Sequence, residues 1–348
     1  MNNSITNSNF RGKLFELPRY SANQYITDLN KHEENRLKGS WLARNFGSPT
    51  ALYGGLGIIL GGELICLAKT KSIKKSNPLK LKEGNTFKNK MLLVLGGTIA
   101  GGIAFATAIQ SWQNKIIDKK STKPQEFLEK YGGDTSAKLS DNNLRSTALC
   151  AQYNPLNGVI EINKNYIHDP IGRKLVKKYM KHELQHARQF EMIAALDNGL
   201  EKVNFASINK VAVSIKKNPI AQAQIKNIID DINNDKTNLY NNVKIPLSGA
   251  KVDFKNYVKA IKIIIDNPDA KPKDIPMVID VNHYKKAVKK RGPLTENEKL
   301  RAEAYYQAAL NYPLMTGLNL INPFSGYRSN ILEKEARKAS RSKTGKID

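Results

Sequence analysis

Two of the five histidines in this chain stand four residues apart, with a glutamate directly after the first of them. The segment is His182-Glu183-Leu184-Gln185-His186, an H-E-x-x-H pattern. On a helix, positions i and i+4 share a face, so both imidazoles can bind one tetrahedral Zn²⁺ ion. A carboxylate beside them can take a proton from an attacking water and later pass it to a leaving amine. The spacing therefore predicts His182 and His186 as metal ligands and Glu183 as a general base for hydrolysis.

The flanking sequence predicts the helix that this pattern needs. Asp169-Pro170 supplies an N-cap and a proline at the first helical position, and Asn198-Gly199 supplies a stop. Between these ends, apolar residues recur together with the histidines at spacings of three and four. The stripe consists of Leu175, Tyr179, His182, His186, Phe190 and Ile193. The stripe predicts that the two histidines face the interior. They would then form either a zinc site or a structural pair of core histidines.

Three stretches of the chain resemble the zincin metallopeptidases, in the gluzincin branch whose third zinc ligand is a downstream glutamate. Residues 157–163 (NGVIEIN) resemble the strand that lies along the substrate cleft, and residues 182–189 (HELQHARQ) resemble the active helix. Residues 327–337 are similar to the E-x-x-A segment that completes the metal site. The likeness covers about residues 145–200 and 300–340. It implies an α+β, mostly helical, zincin-like fold with a small sheet next to the H-E-x-x-H helix.

The resemblance implies Glu333 as the third zinc ligand, because the E-x-x-A register begins there. Glu335 is the near alternative. Asn330 followed by Glu333 also matches a capping box, in which the glutamate would bind backbone donors instead of a metal. Glu303 and His283 are further candidates, and each is expected to be a solvated helix residue.

The chain departs from the family pattern at two points. Gln189 and Met192 stand where the metzincin branch has glycine and histidine, which excludes that branch. The interval from His186 to Glu333 is long for a gluzincin. It implies a helical insertion at about residues 200–295.

Two apolar, glycine-rich runs precede these motifs. Glu63 is the one charged residue in the run 50–68, and the run 91–109 contains no charged residue. Each run is about long enough to cross the hydrocarbon layer of a bilayer, and glycines allow two helices to approach closely. The sequence therefore predicts a transmembrane hairpin at residues 49–112. A pair of buried helices in a soluble core is the alternative.

The distribution of basic residues bears on orientation and partners. Residues 69–90 carry eight lysines against one glutamate, which favours a cytoplasmic connection and a non-cytoplasmic catalytic part, although basic residues flank the outer ends too. The formal net charge of +25 is explained most simply by attraction to anionic membrane lipid. No nucleic-acid partner is expected, because the sequence contains no recognised nucleic-acid-binding module.

The expected organisation has four parts. A polar segment (1–48), the transmembrane hairpin (49–112) and a linker (113–125) precede a zincin-like metallopeptidase domain (126–348). The predicted function is zinc-dependent hydrolysis of a protein or peptide substrate by an integral membrane protein with two spans. The alternatives are a catalytically inactive zincin-like interaction module at the membrane, and a membrane-perturbing or scaffold protein that acts through the hairpin. The oligomeric state is not predicted.

Local signals predict further elements. Apolar spacing indicates helices at 23–38, 124–130, 219–233, 253–266 and 283–290, and a strand region at 147–163. Thr295-x-x-Glu298 is a capping box that opens a helix ending at Asn311. Cys66 and Cys150 are not expected to form a disulfide, because one lies in the first apolar run and the other just before the strand.

Overall fold

The computed structural model describes residues 46–76, 84–119, 138–144, 150–217, 219–233, 244–247, 250–310 and 330–343. This part of the chain is mostly helical, with two small sheets. The helices are α1 (Pro49–Ser76), α2 (Gly84–Lys119), α3 (Lys164–Ile167), α4 (Gly172–Ala194), α5 (Gly199–Lys216), α6 (Pro219–Asn233), α7 (Phe254–Asp266), α8 (Val281–Arg291), α9 (Glu296–Leu310) and α10 (Ile331–Arg341). The strands are β1 (Lys138–Leu144), β2 (Ala151–Asn154), β3 (Val159–Asn163), β4 (Lys244–Leu247) and β5 (Ala250–Asp253).

The sheet beside the H-E-x-x-H segment has three strands in the order β1-β3-β2. β2 and β3 form an antiparallel hairpin whose turn ends at Gly158, where φ is +67° and a residue without Cβ is favoured. β1 runs parallel to β3 and was not predicted from the sequence. The strand region expected at 147–163 is confirmed, and it places β2 at an edge of the sheet.

The H-E-x-x-H segment lies on α4, which packs against α10, α9, β2, α3 and α8. The predicted start at Pro170 was too early. Asp169 Oδ1 accepts hydrogen bonds from the backbone N–H groups of Ile171 (2.9 Å) and Gly172 (2.7 Å), and the regular helix begins only at Gly172. Asp169 is therefore a cap, as predicted, but the chain turns once more before the helix forms.

The predicted stop of this helix was too late. α4 ends at Ala194, and Gly199 is the first residue of the next helix, α5. Asn198, at φ +53°, lies in the connection between the two helices. The asparagine and glycine therefore mark a helix-to-helix turn, which the sequence pattern alone did not distinguish from a helix end.

The apolar stripe of α4 was predicted to include Tyr179, but this side chain is 40% exposed. Val176, Met180, Leu184 and Ala187 are also buried, so the buried face of α4 is wider than the predicted stripe. The rest of the predicted stripe is confirmed, since Phe190 and Ile193 are buried and Leu175 is half-buried. His186 is buried and His182 is half-buried, at the edge of that face.

The predicted helices of the insertion are present, with small shifts at their ends. α6 spans the predicted residues, and Asp253 caps α7 through a bond from Asn256 N. The capping box at the start of α9 is confirmed, since Thr295 N donates to Glu298 Oε2 (2.9 Å) and Glu298 N to Thr295 Oγ1 (3.3 Å). The two-stranded sheet of β4 and β5 was not predicted.

The two apolar runs form α1 and α2, which pack against each other. At the crossing, a Cβ on Gly102 would lie 2.7 Å from the backbone oxygen of Gly55, so only glycine permits this approach. α2 continues to Lys119, so the first part of the expected linker is helical.

One helix in the described part of the chain, α2, is long and apolar enough to cross a membrane, over Leu92–Ile116. The apolar part of α1, Pro49–Ile65, is shorter. Among the sequence predictions, the helices at 23–38 and 124–130 lie outside the described residues.

Candidate metal centre

The structure brings the three predicted ligands, His182, His186 and Glu333, together. The two imidazole Nε2 atoms are 3.3 Å apart. Glu333 Oε2 lies 3.4 Å from His182 Nε2, and Glu333 Oε1 lies 3.3 Å from His186 Nε2. Among the described residues, these three side chains form a group that could hold a metal ion. One ligand atom from each residue lies within 4.8 Å of the others.

The spacing of the ligand atoms fits a tetrahedral ion. Bonds of about 2.0–2.1 Å at tetrahedral angles separate two neighbouring ligand atoms by about 3.3–3.4 Å. The distance between the two Nε2 atoms matches that separation. Two imidazoles and one carboxylate are also the donor set of catalytic zinc sites, which leave a fourth position open. The donor set and its spacing therefore fit Zn²⁺.

Glu333 reaches this site from the first turn of α10. Asn330 caps the helix by accepting a hydrogen bond from Leu332 N (2.9 Å), and the Glu333 carboxylate lies against the imidazoles. The side chain is only 1% exposed. Of the two interpretations left open by the sequence, the geometry favours a ligand position over a capping role. Glu335 does not belong to this group of possible metal ligands. Its carboxylate accepts a hydrogen bond from the Tyr305 hydroxyl.

The remaining sequence candidates lie elsewhere. Glu303 is exposed on α9. His283 was expected to be solvated, but it is 5% exposed. Its ring contacts Tyr284 edge-on and lies so close to Gly158 that a Cβ there would meet Nε2 at 1.9 Å. His283 is therefore part of the packing between α8 and the β2–β3 turn.

Gln189 connects the two helices that carry the ligands. Its Oε1 lies 2.9 Å from His186 Nδ1, and its Nε2 donates to the backbone oxygen of Leu332 (3.0 Å), the residue before Glu333. Because a carbonyl oxygen can only accept, the bond to Leu332 fixes which end of the amide faces His186. His186 Nδ1 is then the donor, and its Nε2 keeps a lone pair for the metal. This role of Gln189 was not predicted from the sequence, where the residue served only to exclude the metzincin branch.

A second contact fixes the other end of α10. The Lys181 ammonium group donates to the backbone oxygens of Ser342 (2.6 Å) and Lys343 (2.7 Å), just beyond the last turn of the helix. A cation at this position also interacts favourably with the helix dipole. Since Gln189 and Lys181 both belong to α4, the helix that supplies Glu333 is attached at both ends to the helix that supplies the histidines.

Glu183 is buried beside the triad and is held by the sheet. Its Oε2 accepts a hydrogen bond from the backbone N–H of Tyr153 (2.7 Å), on edge strand β2. Burial raises the pKa of Glu183 to about 7, and the Glu333 carboxylate adds to the rise, while His182 and the Tyr153 N–H oppose it. A carboxyl group that titrates near neutrality can both accept and return a proton.

Strand β2 is itself attached to α8. The hydroxyls of Tyr153 and Tyr284 are 2.7 Å apart, and the Tyr284 hydroxyl donates to the backbone oxygen of Pro155 (2.8 Å). Burial raises the pKa of both phenols, so both remain protonated at neutral pH. This chain of contacts runs from α8 through β2 to Glu183, and no short motif in the sequence signals it.

Comparison with known proteins adds no relative. No protein-family model matches the chain, and no curated protein or solved structure matches it significantly.

Proposed function

We propose that this chain is a zinc-dependent peptidase of the zincin type, anchored in a membrane by α1 and α2. One observation carries the proposal: His182, His186 and Glu333 converge at ligand spacing, with a buried Glu183 next to them. An incidental pair of core histidines does not require a carboxylate to arrive from a separate helix far along the chain. The substrate class is a protein or peptide.

In this proposal, His182 Nε2, His186 Nε2 and the Glu333 carboxylate hold the ion. Zn²⁺ bound there supplies a Lewis acid that lowers the pKa of water toward neutrality and polarises a carbonyl group. Gln189 keeps the His186 ring in the orientation and tautomer that bind a metal. The protein thus sets the geometry of the ligands before any substrate arrives.

Glu183 acts as the general base and then as the general acid. Its Oε2 is positioned by the Tyr153 N–H, and its place one residue after His182 puts the carboxylate next to the ligand face of α4. It takes the proton from the attacking water and gives it to the amine that leaves when the peptide bond breaks. Such a group contributes about 10²–10⁴-fold to the rate of the reaction.

The membrane anchor is supported by the surface of the helix pair. Large apolar side chains on both helices are exposed, including Leu64 (66%) and Leu93 (77%), which is unfavourable in water and favourable in lipid. Ser48 and Thr50 at the start of α1 contact Gln110 on α2 and Asp169 ahead of α4, respectively. If both helices span the bilayer, the metal centre lies on the side where α1 begins and α2 ends.

Metal content tests the site directly. We expect one Zn²⁺ per chain in the wild-type protein, and loss of it in His186→Ala. Glu303→Ala, which removes an exposed carboxylate on α9, is the matched control and should keep the ion. Inductively coupled plasma mass spectrometry of the purified full chain measures both. Equal zinc content in His186→Ala and wild type would exclude this metal centre.

Hydrolysis of casein tests the chemistry. We expect activity in the wild type, and a loss of about 10²–10⁴-fold in Glu183→Gln with zinc still bound. A wild-type protein that binds zinc stoichiometrically but does not hydrolyse casein or an unstructured peptide library would favour the inactive interaction module instead. Liposome leakage that survives both chelation and Glu183→Gln would favour the membrane-perturbing alternative.

A further inference from the structure

The helix pair and the metal-bearing part of the chain meet at a buried polar cluster, here called the joint. At its centre Asp169, which is fully buried, accepts four hydrogen bonds. Oδ1 accepts from the N–H groups of Ile171 and Gly172, where α4 begins. Oδ2 binds Thr50 N on α1 (3.0 Å) and Gln113 Nε2 on α2 (2.7 Å). One carboxylate thus connects both apolar helices to the N-terminus of the helix that carries the metal ligands.

Gln110 on α2 completes the joint. Its Oε1 accepts from Ser48 N (2.7 Å), and its Nε2 donates to Asn165 Oδ1 (3.2 Å) on α3. Gln110, Asn165 and Ser48 are each at most 1% exposed. Because leaving one buried polar group without its partner costs about 1–3 kcal/mol, several such bonds together hold the two parts in one arrangement. The joint therefore fixes how far the metal centre lies from the helix pair.

The length of α4 sets an upper limit on that distance. His182 and His186 lie ten and fourteen residues beyond Gly172, where the helix begins. At a rise of 1.5 Å per residue, these positions are about 15 Å and about 21 Å from the joint along the helix. Whatever angle α4 makes with a bilayer, the site is no farther than about 20 Å above the joint.

The joint itself lies where a bilayer surface is expected. From Leu92 to Ile109, α2 runs 18 residues without a charged side chain, about 27 Å, which is close to the hydrocarbon thickness of a bilayer. Tyr53 (56% exposed) and Trp112 (59% exposed) project at the same end of the pair as the joint. Exposed Tyr and Trp rings are typical of the interface between lipid and water.

The first turns of α4 present a basic face at this level. Lys174, Lys177 and Lys178 follow a helical spacing of three and four, and all three are exposed. Each lysine near an anionic membrane surface contributes about 1 kcal/mol of binding.

We propose that the substrates are polypeptides attached to, or lying on, an anionic bilayer, and that they are cut within about 20 Å of its surface. This inference rests on the proposed peptidase function and on the membrane anchor. The basic face of α4 rests on the headgroups, and the joint prevents the site from reaching farther out. Soluble polypeptides are also cut, but more slowly than polypeptides that are held at the membrane.

A molecular ruler tests this limit. The probe is one casein segment, prepared free or coupled to lipid, in each case either directly or through twenty prolines, which extend about 60 Å. The full chain is reconstituted in vesicles of phosphatidylglycerol and phosphatidylcholine, and cleavage is followed by mass spectrometry. We expect the directly anchored segment to be cut at least about fivefold faster than the spaced one, and the two free segments to be cut at equal rates.

Each other result overturns a specific claim. Equal rates for the directly anchored and the spaced segments, with hydrolysis intact, would overturn the 20 Å limit and leave the peptidase standing. Failure to cut any of the four segments, free or anchored, would overturn the proposed function and this inference with it. A spaced segment that is cut faster would show that the site lies farther from the bilayer than the joint allows.

The basic face has its own matched comparison. Changing Lys174, Lys177 and Lys178 to Glu should lower the ratio of anchored to free cleavage on anionic vesicles at least about threefold. The control carries the same charge change on α8, at exposed residues Lys285, Lys286 and Lys289. If both triple variants lower the ratio equally, net charge and not the α4 face governs membrane contact, and this part of the proposal is wrong.

Discussion

The two pairs of helices that define this molecule are held together in opposite ways. α1 and α2 meet where side chains are missing, and Gly55 and Gly102 let one backbone touch the other. α4 and α10 meet through polar groups, since Gln189 and Lys181 each bind backbone oxygens of α10 or its flanks. The first interface tolerates no added volume, whereas the second tolerates no lost partner. Substitutions should therefore fail for different physical reasons in the two regions.

The proposed membrane arrangement would account for the difference. Between two helices in lipid there is no hydrophobic driving force, so close packing of small residues would replace it. Around the candidate metal centre, an apolar core surrounds the polar side chains, and a buried polar atom without a partner is costly. Substitutions at the polar interface should have the largest effects, and those at the glycine interface and in the core should have smaller ones.

The largest effect is expected at Glu333. Glu333→Ala removes one of three ligands, so zinc affinity should fall by more than about 100-fold, beyond the range found for groups that only support a ligand. Competition with a fluorescent zinc chelator measures the affinity. Glu335→Ala is the matched control two residues away, and it should lose its contact with Tyr305 without changing zinc affinity. The reverse ranking would assign the third ligand to Glu335.

A smaller loss is expected at Gln189. Gln189→Met keeps much of the side-chain volume but removes both the acceptor for His186 Nδ1 and the donor to Leu332. Zinc affinity should fall about 10–100-fold, as for other groups that orient a ligating histidine. The same chelator competition reports it, and circular dichroism checks the fold. Wild-type affinity in a folded Gln189→Met protein would show that the ligands hold their geometry without this residue.

The glycine interface is tested by adding a single methyl group. Gly102→Ala places a Cβ 2.7 Å from Gly55 O, so the helices must separate, and the free energy of unfolding in detergent should fall by about 1–3 kcal/mol. Gly101→Ala is the matched control, because its Cβ meets no atom within 4 Å. Thermal unfolding of the two variants in the same detergent decides the matter. If both variants unfold alike, close backbone contact does not stabilise the pair.

The smallest effect concerns the thiol of Cys150. Burial raises its pKa well above the ordinary value, and the Glu183 carboxylate adds to the rise. In the folded protein it should stay protonated and resist iodoacetamide from pH 7.5 to pH 9.5, while a thiol in the unfolded chain ionises near pH 8.5. Stability should accordingly decline slightly as the pH rises above that value. The Cys66→Ser variant isolates Cys150, and rapid alkylation without denaturant would contradict its burial.

Local signals predicted local structure well. The box formed by Thr295 and Glu298 and the helices at Pro219–Asn233 and Phe254–Asp266 are confirmed because each depends on residues within one or two turns. β1 was missed because its sequence, KLSDNNL, is polar and its pairing partner β3 lies some twenty residues away. A strand that forms mainly through pairing with its partner does not need residues of high β propensity, so its sequence gives little signal.

The candidate site was predicted in part for the same reason. His182, Glu183 and His186 share one helical turn, so their spacing was enough to place them together. Glu333 was chosen over Glu335 only from a resemblance, because nothing local distinguishes two glutamates two residues apart. Helix α10 packs so that Glu333 lies against the imidazoles and Glu335 lies against Tyr305. Gln189 and Asp169 gained their roles only through contacts with distant residues.

Sequence alone thus determined the features that depend on neighbouring residues. These are the two imidazoles and the carboxylate of one helical turn, the caps, and the apolar runs of α1 and α2. Periodicity and capping are properties of neighbouring residues, so they are readable without a fold. Tertiary structure decided which glutamate meets the histidines, that Val176 and Met180 and not Tyr179 are buried on α4, and that a single aspartate connects that helix to the apolar pair. These are choices between distant residues, and they are made by packing and by the cost of leaving a buried polar group unpaired.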